Sequence, residues 1–288
     1  MATYYARNVT GNWAANTSWD SASSGGAGPA GPPVAGDTAI FDSGFTGSIT
    51  IAAAAACAIL TCQAGATGSL TFGAVGTLTT TGNITFVSGF SIVNSGGDLY
   101  MNGSGATLTG NGVTGAPRLL RVTANVTLDI NGTTFNTVYH AAGPHTITLA
   151  SDLQCSSLDF SANYGSTTVA GAFNITCDYF YFGTVYSMPL TLVSGQTLTV
   201  NTGLYINRVA TYVPTIKSST SSSETFLHYN GLQANCLVNG AIFTDVNCAH
   251  AIDNWYGGTL TRCTGITNRT SADIGGGGVN MPRTRIGH

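Results

Sequence analysis

The chain has 288 residues, enough for one large domain or two small ones, and its 43% hydrophobic content excludes wholesale disorder. Charged residues make up only 7%, far below the roughly 25% of ordinary soluble domains, so solubility has to come from Thr, Ser, Asn and Gly. The formal charge of -3 provides no broad field for nucleic acid, and the 38 glycines follow no G-X-Y period, which excludes collagen.

The N-terminus, Met1 to Asn8, has no basic region followed by an apolar segment, so no conventional secretory signal peptide is expected. Trp13 and Trp19 follow, then a Gly/Pro-rich excursion from Ser23 to Pro33, then Gly36-Asp37-Thr38-Ala39-Ile40-Phe41, where a strand pattern resumes. Residues 1–44 therefore read as an N-terminal cap or attachment segment whose Trp and Phe side chains cover the end of a stack. A rival reading makes Tyr4, Tyr5, Trp13 and Trp19 a stacking surface for a glycan or a protein partner.

From residue 45 to 270 short segments alternate Thr or Ser with an apolar residue, as in Ser69-Leu70-Thr71-Phe72, Ile84-Thr85-Phe86, Val126-Thr127-Leu128, Ile147-Thr148-Leu149 and Leu198-Thr199-Val200. A two-residue period places the apolar side chains on one face and the hydroxyls on the other, which predicts strands buried on one side. Further strands are predicted at 48–51, 58–62, 91–94, 98–102, 106–109, 119–122, 158–161, 173–177, 190–193, 204–207, 213–217, 225–229, 241–246 and 259–263. Their spacing of roughly 7 to 13 residues suits a β-sandwich or a parallel β-helix. The length of the chain, the shortness of the strands and the Asn/Gly turns (Asn102-Gly103, Gly110-Asn111, Asn131-Gly132, Asn230-Gly231, Asn239-Gly240) favour an all-β parallel β-helix. At about 20 to 25 residues per coil it would have roughly ten coils. The run Ala52 to Leu60 is too short to cross a bilayer as a helix, so no membrane insertion is expected. Residues 271–288, opening on Gly275 to Gly278, read as a flexible tail, and Arg283 and Arg285 make too small a footprint for a nucleic-acid arm.

Seven cysteines, odd in number and without a CxxC pair, support neither a disulfide scaffold nor a zinc knuckle. Buried thiols are expected, with a contact between Cys155 and Cys177 if their separation equals one coil. His140 and His145 flank a Gly-Pro turn that can bring the rings together, but no third ligand adjoins them, so neither a metal site nor a cofactor is expected. No phosphate loop, dinucleotide fingerprint, HExxH or GxSxG motif occurs. The enzyme class open to such a chain is polysaccharide cleavage, with Asp129, Asp152, Asp159 and Asp178 as the candidate carboxylates. Inverting hydrolysis needs two of them about 6.5 to 9.5 Å apart. A lyase would need a cation beside the uronate, and the body supplies Arg118, Arg121, Arg208 and Lys217.

The arrangement Trp13, Trp19, Pro33 and Gly36-Asp37-Thr38-Ala39 resembles the opening motif of parallel β-helix passenger and surface proteins, in which W...W...P..GD[ST]A precedes Thr-rich coils. Proteins of this look without a signal peptide resemble tail, spike and other virion components of bacteriophages, many of them homotrimers. The resemblance implies a non-enzymatic structural component of a virion or extracellular surface assembly, contributing to assembly or host-surface contact. It also implies self-association, other assembly proteins as partners, and contact with a cell-surface glycan. The alternatives are a glycan-binding or glycan-cleaving tailspike and an adhesive solenoid that uses its Thr rows.

Overall fold

A computed structural model describes residues 1–266 except 27, 29, 142, 163–164, 185–188, 209–211, 253–254 and 257–258; the expected tail lies outside the described residues. The chain winds into a β-solenoid of about nine turns, built of stacked parallel strands, with no α-helix among the described residues. The expected parallel β-helix is thus the observed fold.

Two sheets run the length of the stack. The first begins at Thr3–Ala6, continues through Thr38–Phe41 and Ile59–Cys62, and ends at Thr259–Thr261. The other, the third sheet in order around the coil, runs from Ala54–Cys57 to Thr264–Ile266. Between them lies a second sheet of four strands: Thr10–Asn12, Ser48–Ile51, Ser69–Phe72 and Ser91–Asn94. It stops after a single bridge from Ser91 to Thr114. Past that point the third-sheet strands lengthen to Thr134–Ala141, Leu153–Ala162, Ile175–Thr184 and Thr197–Arg208. Register shifts interrupt the pairing between Tyr139 and Ala141 and between Cys177 and Tyr179.

The alternation in sequence becomes a column in space because the strands stack in register. In the third sheet Ala55, Leu78, Leu99, Leu120, Val138, Leu158, Phe180, Leu204 and Cys236 follow one another from rung to rung. All but Ala55 are buried, and the facing column of the first sheet (Leu60, Ile84, Leu108, Leu128, Leu149) meets them across the core. At about 25 cal/mol per Å² of apolar surface, burying each Leu or Phe stabilises the stack by about 1.5–3 kcal/mol. Hydroxyls line the outside, where Thr107, Thr127 and Thr148 form one row and Thr146, Thr168 and Thr191 another. β-Branched Thr favours the extended backbone there without adding charge.

Corner residues explain the richness in Asn. The side-chain oxygens of Asn83, Asn125 and Asn174 accept the backbone N–H groups of Thr107, Thr146 and Thr197 on the next coil, at 2.7 to 2.9 Å. Each amide stands in for a ladder hydrogen bond where the chain turns away. Each is followed two residues later by an outward Thr, which is why these corners read as glycosylation sequons in sequence. At the Asn131-Gly132 turn both residues take positive φ, 25° and 81°, and a Cβ on Gly103 would overlap the carbonyl oxygen of Thr81 on the coil beneath.

The first residues belong to the stack: Thr3–Ala6 pairs in parallel with Thr38–Phe41 and antiparallel with Trp19–Asp20. Asp37 fastens this end, because one carboxylate oxygen accepts the N–H of Ala2 (2.8 Å) and its main-chain oxygen accepts the N–H of Ala58 (2.7 Å). The Ala2 hydrogen bond draws the Asp37 carboxyl below its usual pKa, against a smaller opposing effect of desolvation.

We expect Leu99→Ala to lower the urea-unfolding free energy by about 2–5 kcal/mol by opening a cavity in the central column. Thr127→Ala on the outer face should cost less than about 1 kcal/mol.

Candidate functional site: an outward tyrosine stripe

The same registration that builds the core also orders one outer face. On the third sheet the outward residues Tyr100, Arg121, Tyr139, Asp159, Tyr181 and Tyr205 are consecutive ladder partners, one per coil. Adjacent strands lie about 4.8 Å apart, so the six side chains form a straight stripe parallel to the solenoid axis. Tyr181 and Tyr205 stack at 5.1 Å with 9° between their planes, and Tyr179, beside Tyr181 on the same strand, stacks on it at 6.2 Å and 14°.

Gly203 makes the stack possible. It pairs with Tyr179, and a Cβ there would come within 2.7 Å of the Tyr205 ring and 2.8 Å of the Tyr179 ring. Burial, then the neighbouring phenols, pushes the Tyr181 and Tyr205 hydroxyls above their ordinary pKa, so both remain neutral donors and acceptors. At the other end the Arg121 guanidinium carbon lies 5.1 Å from the Tyr100 ring centroid and 5.7 Å from that of Tyr139. Between the two clusters Asp159 is buried, its carboxylate accepting the Ser161 N–H at 2.7 Å. Burial raises its pKa, and the Ser161 hydrogen bonds only partly offset this.

Trp13 and Trp19 are elsewhere and cannot stack on a ligand, because both are buried. Their rings meet edge to face at 4.7 Å, Trp19 meets Phe41 at 6.1 Å, and Phe41 meets Phe45 and Phe90 at 4.9 and 5.2 Å. The indole N–H of Trp19 donates to the Trp13 carbonyl (2.7 Å), and that of Trp13 to the Pro33 carbonyl (3.3 Å). Tyr4 packs against this core, and Tyr5 lies one position along the same strand, in register with Ile40. The W...W...P pattern therefore encodes an aromatic plug, and the stacking reading of the two Trp residues is corrected: their area is spent on closing the core.

Nor do the four candidate aspartates converge. Asp129 continues an outward row of the first sheet after Thr109, Asp159 belongs to the stripe, and Asp152 is an exposed turn residue that accepts the Asn174 N–H at 2.8 Å. Asp178 sits at the register shift beside Tyr179. No two of them are ladder partners. Glu224 and Asp245 do share a cleft of about 490 Å³ with Ser194, Ser222 and Arg262. Their oxygens are already taken, those of Asp245 by both ends of Arg262 and those of Glu224 by Asn247 and Thr264. That cluster ties the last coils together.

No family model, curated protein or solved structure matches this chain. Among the described residues no His/Cys/Asp/Glu group of three or more is arranged to hold a metal ion, and no helix is long and apolar enough to cross a membrane.

Six of the cysteines and His140 are buried, while Cys263, His145 and His228 are partly exposed. Cys155 and Cys177 are direct ladder partners, buried and reduced, and their mutual thiol hydrogen bond together with burial holds the Cys155 pKa well above the ordinary thiol value. His140 and His145 do come together, with ring centroids 5.5 Å apart. His140 is buried in the core column after Val122, 5.8 Å from the Phe160 ring, with its Nε2 unpartnered and its Nδ1 3.3 Å from the Thr167 hydroxyl.

Burial, then the neighbouring His145, depresses the His140 pKa to about 4 from 6.5. As pH falls the unfolded chain binds this proton first, so stability is complete above pH 6.5 and drains away toward pH 4, by on the order of 3 kcal/mol. His140→Leu should flatten that window: urea unfolding at pH 7.5 and pH 4.5 should differ by about 2 kcal/mol less than in the parent.

Proposed function

We propose that this protein is a non-enzymatic structural component of a virion or other extracellular surface assembly, of the tail, fibre or decoration kind, and that it touches a cell-surface glycan along the tyrosine stripe. The observation that carries the reading is the Tyr179–Tyr181–Tyr205 stack, held on the outward face of a rigid sheet. Half-buried tyrosines offer a sugar ring an apolar face and a hydroxyl at low entropic cost, since only two χ angles need fixing. The rung spacing of about 4.8 Å is close to the length of one pyranose unit, so an extended polysaccharide can lie along the stripe with successive sugars over successive coils.

Binding without cleavage is favoured over hydrolysis because Asp159 stands alone in the stripe, flanked by Tyr139 and Tyr181 in the ladder, whereas hydrolysis calls for two opposed carboxylates. A Thr-row adhesive is supported less, because the Thr rows are interrupted by Ala170 and Lys217 after three rungs. Membership of a virion and assembly as a homotrimer rest on the N-terminal resemblance and the sparsely charged solenoid body. Mass spectrometry of purified particles and light scattering of the isolated chain test them directly.

On a polysaccharide array the double variant Tyr181→Ala, Tyr205→Ala should lose about tenfold or more of any glycan binding shown by the parent. Its unfolding midpoint should shift little, and no new reducing ends should appear with either protein. Glycan binding unchanged in the double variant would refute the stripe as the contact surface.

A further inference from the structure

Resting on the glycan-contact reading above, we propose that the glycan is anionic and that Arg121 is the subsite for its carboxylate. Arg121 is the only basic residue in the stripe, placed in register between Tyr100 and Tyr139. Both rings lie within the ~6 Å range of a cation–π contact, so aromatic surface replaces water over the guanidinium. These rings attract the charge but cannot accept the in-plane N–H groups. The Arg121 Nε is buried and meets no acceptor, and Arg121 forms no ion pair among the described residues.

Other arginines of the chain are treated differently. Arg118 makes two charge-assisted bonds to Asp98, at 2.9 and 2.7 Å, and Arg262 is paired in the same two-pronged way with Asp245. The carboxylate of Asp98, two positions from Tyr100 on its strand, is thereby withdrawn from Arg121. Asp159 is two rungs from Arg121 with Tyr139 between them, about 10 Å by strand spacing, too far for direct contact.

A buried Nε without an acceptor costs free energy in the unliganded protein. A planar carboxylate arriving from the groove side meets the Nη groups, which are not buried, through charge-assisted bonds, while Tyr181 and Tyr205 further along the stripe take the sugar rings.

The test uses the full chain against hyaluronan, alginate and polygalacturonate, each beside its carboxyl-reduced counterpart, with Arg121→Gln, Arg121→Lys and the Tyr181→Ala, Tyr205→Ala variant. The parent should bind at least one acidic polymer about tenfold or more tightly than its reduced form, with affinity falling as salt rises. Arg121→Gln should erase that preference and leave binding to reduced polymers unchanged, Arg121→Lys should keep part of it, and the tyrosine variant should weaken binding to both forms. Equal binding of acidic and reduced polymers by the parent, a comparison that needs no variant to fold, would overturn the carboxylate subsite while leaving the glycan reading intact. Binding to no polymer in either form would overturn both.

Discussion

Everything in this molecule depends on in-register stacking of parallel strands. Once Leu78, Leu99 and Leu120 are ladder partners, the side chains between them must also align, and the coil above has to repeat whatever the coil below decided. A shift of one residue would turn every Leu outward and every Thr inward, so the apolar column fixes the register far more strongly than any single contact. The outer face then inherits an order it did not itself have to stabilise. Rows of Thr, an Asn at the corners, and the Tyr/Arg stripe are all consequences of one repeated constraint.

A solenoid of this kind has to solve two problems that a closed globule does not. Its end would leave the column uncovered, and the first segment meets this with Trp13 and Trp19 packed on Phe41, Phe45 and Phe90 beneath a strand that reverses direction. Its corners would leave backbone N–H groups unpaired, and the Asn side chains supply the missing acceptors. Polar residues are therefore consumed by structure throughout the chain, which is why an outward polar or charged group with no structural partner stands out. Arg121, held between two rings but with a buried Nε that meets no acceptor, is closest to such a group; Asp98, Asp152, Asp245 and Glu224 are not.

The change of cross-section halfway along connects fold to surface. When the second sheet stops, the third-sheet strands lengthen and bend at two register shifts. Tyr179, Tyr181 and Tyr205 lie on these longer strands, so the aromatic face sits where the third-sheet strands are longest. Gly203 is required at that place because a Cβ would run into the Tyr205 ring on its own strand and the Tyr179 ring on the rung before.

The strands most legible in sequence were those where Thr alternates with Leu, Ile or Val, such as Ser48–Ile51, Ala106–Thr109 and Thr225–Tyr229, because a solvent-facing hydroxyl opposite a buried aliphatic leaves a clean two-residue period. The period predicts no strand over Thr134–Ala141 and only shorter ones at Leu153–Ala162 and Ile175–Thr184. Their outward positions carry Tyr, Asp and Cys-flanking residues that blur the period. The stripe had a signal as well, an aromatic or charged residue recurring once per coil, but it emerges only when the coils are aligned to one another. Sequence by itself determined that the chain is a parallel β-solenoid with an aromatic first segment, since local alternation and turn chemistry are properties of a few neighbouring residues. Only the tertiary structure decided which side of each Trp or Tyr faces water and which aspartates stand near one another. Those facts depend on the register between residues a full coil apart, set by how the core packs.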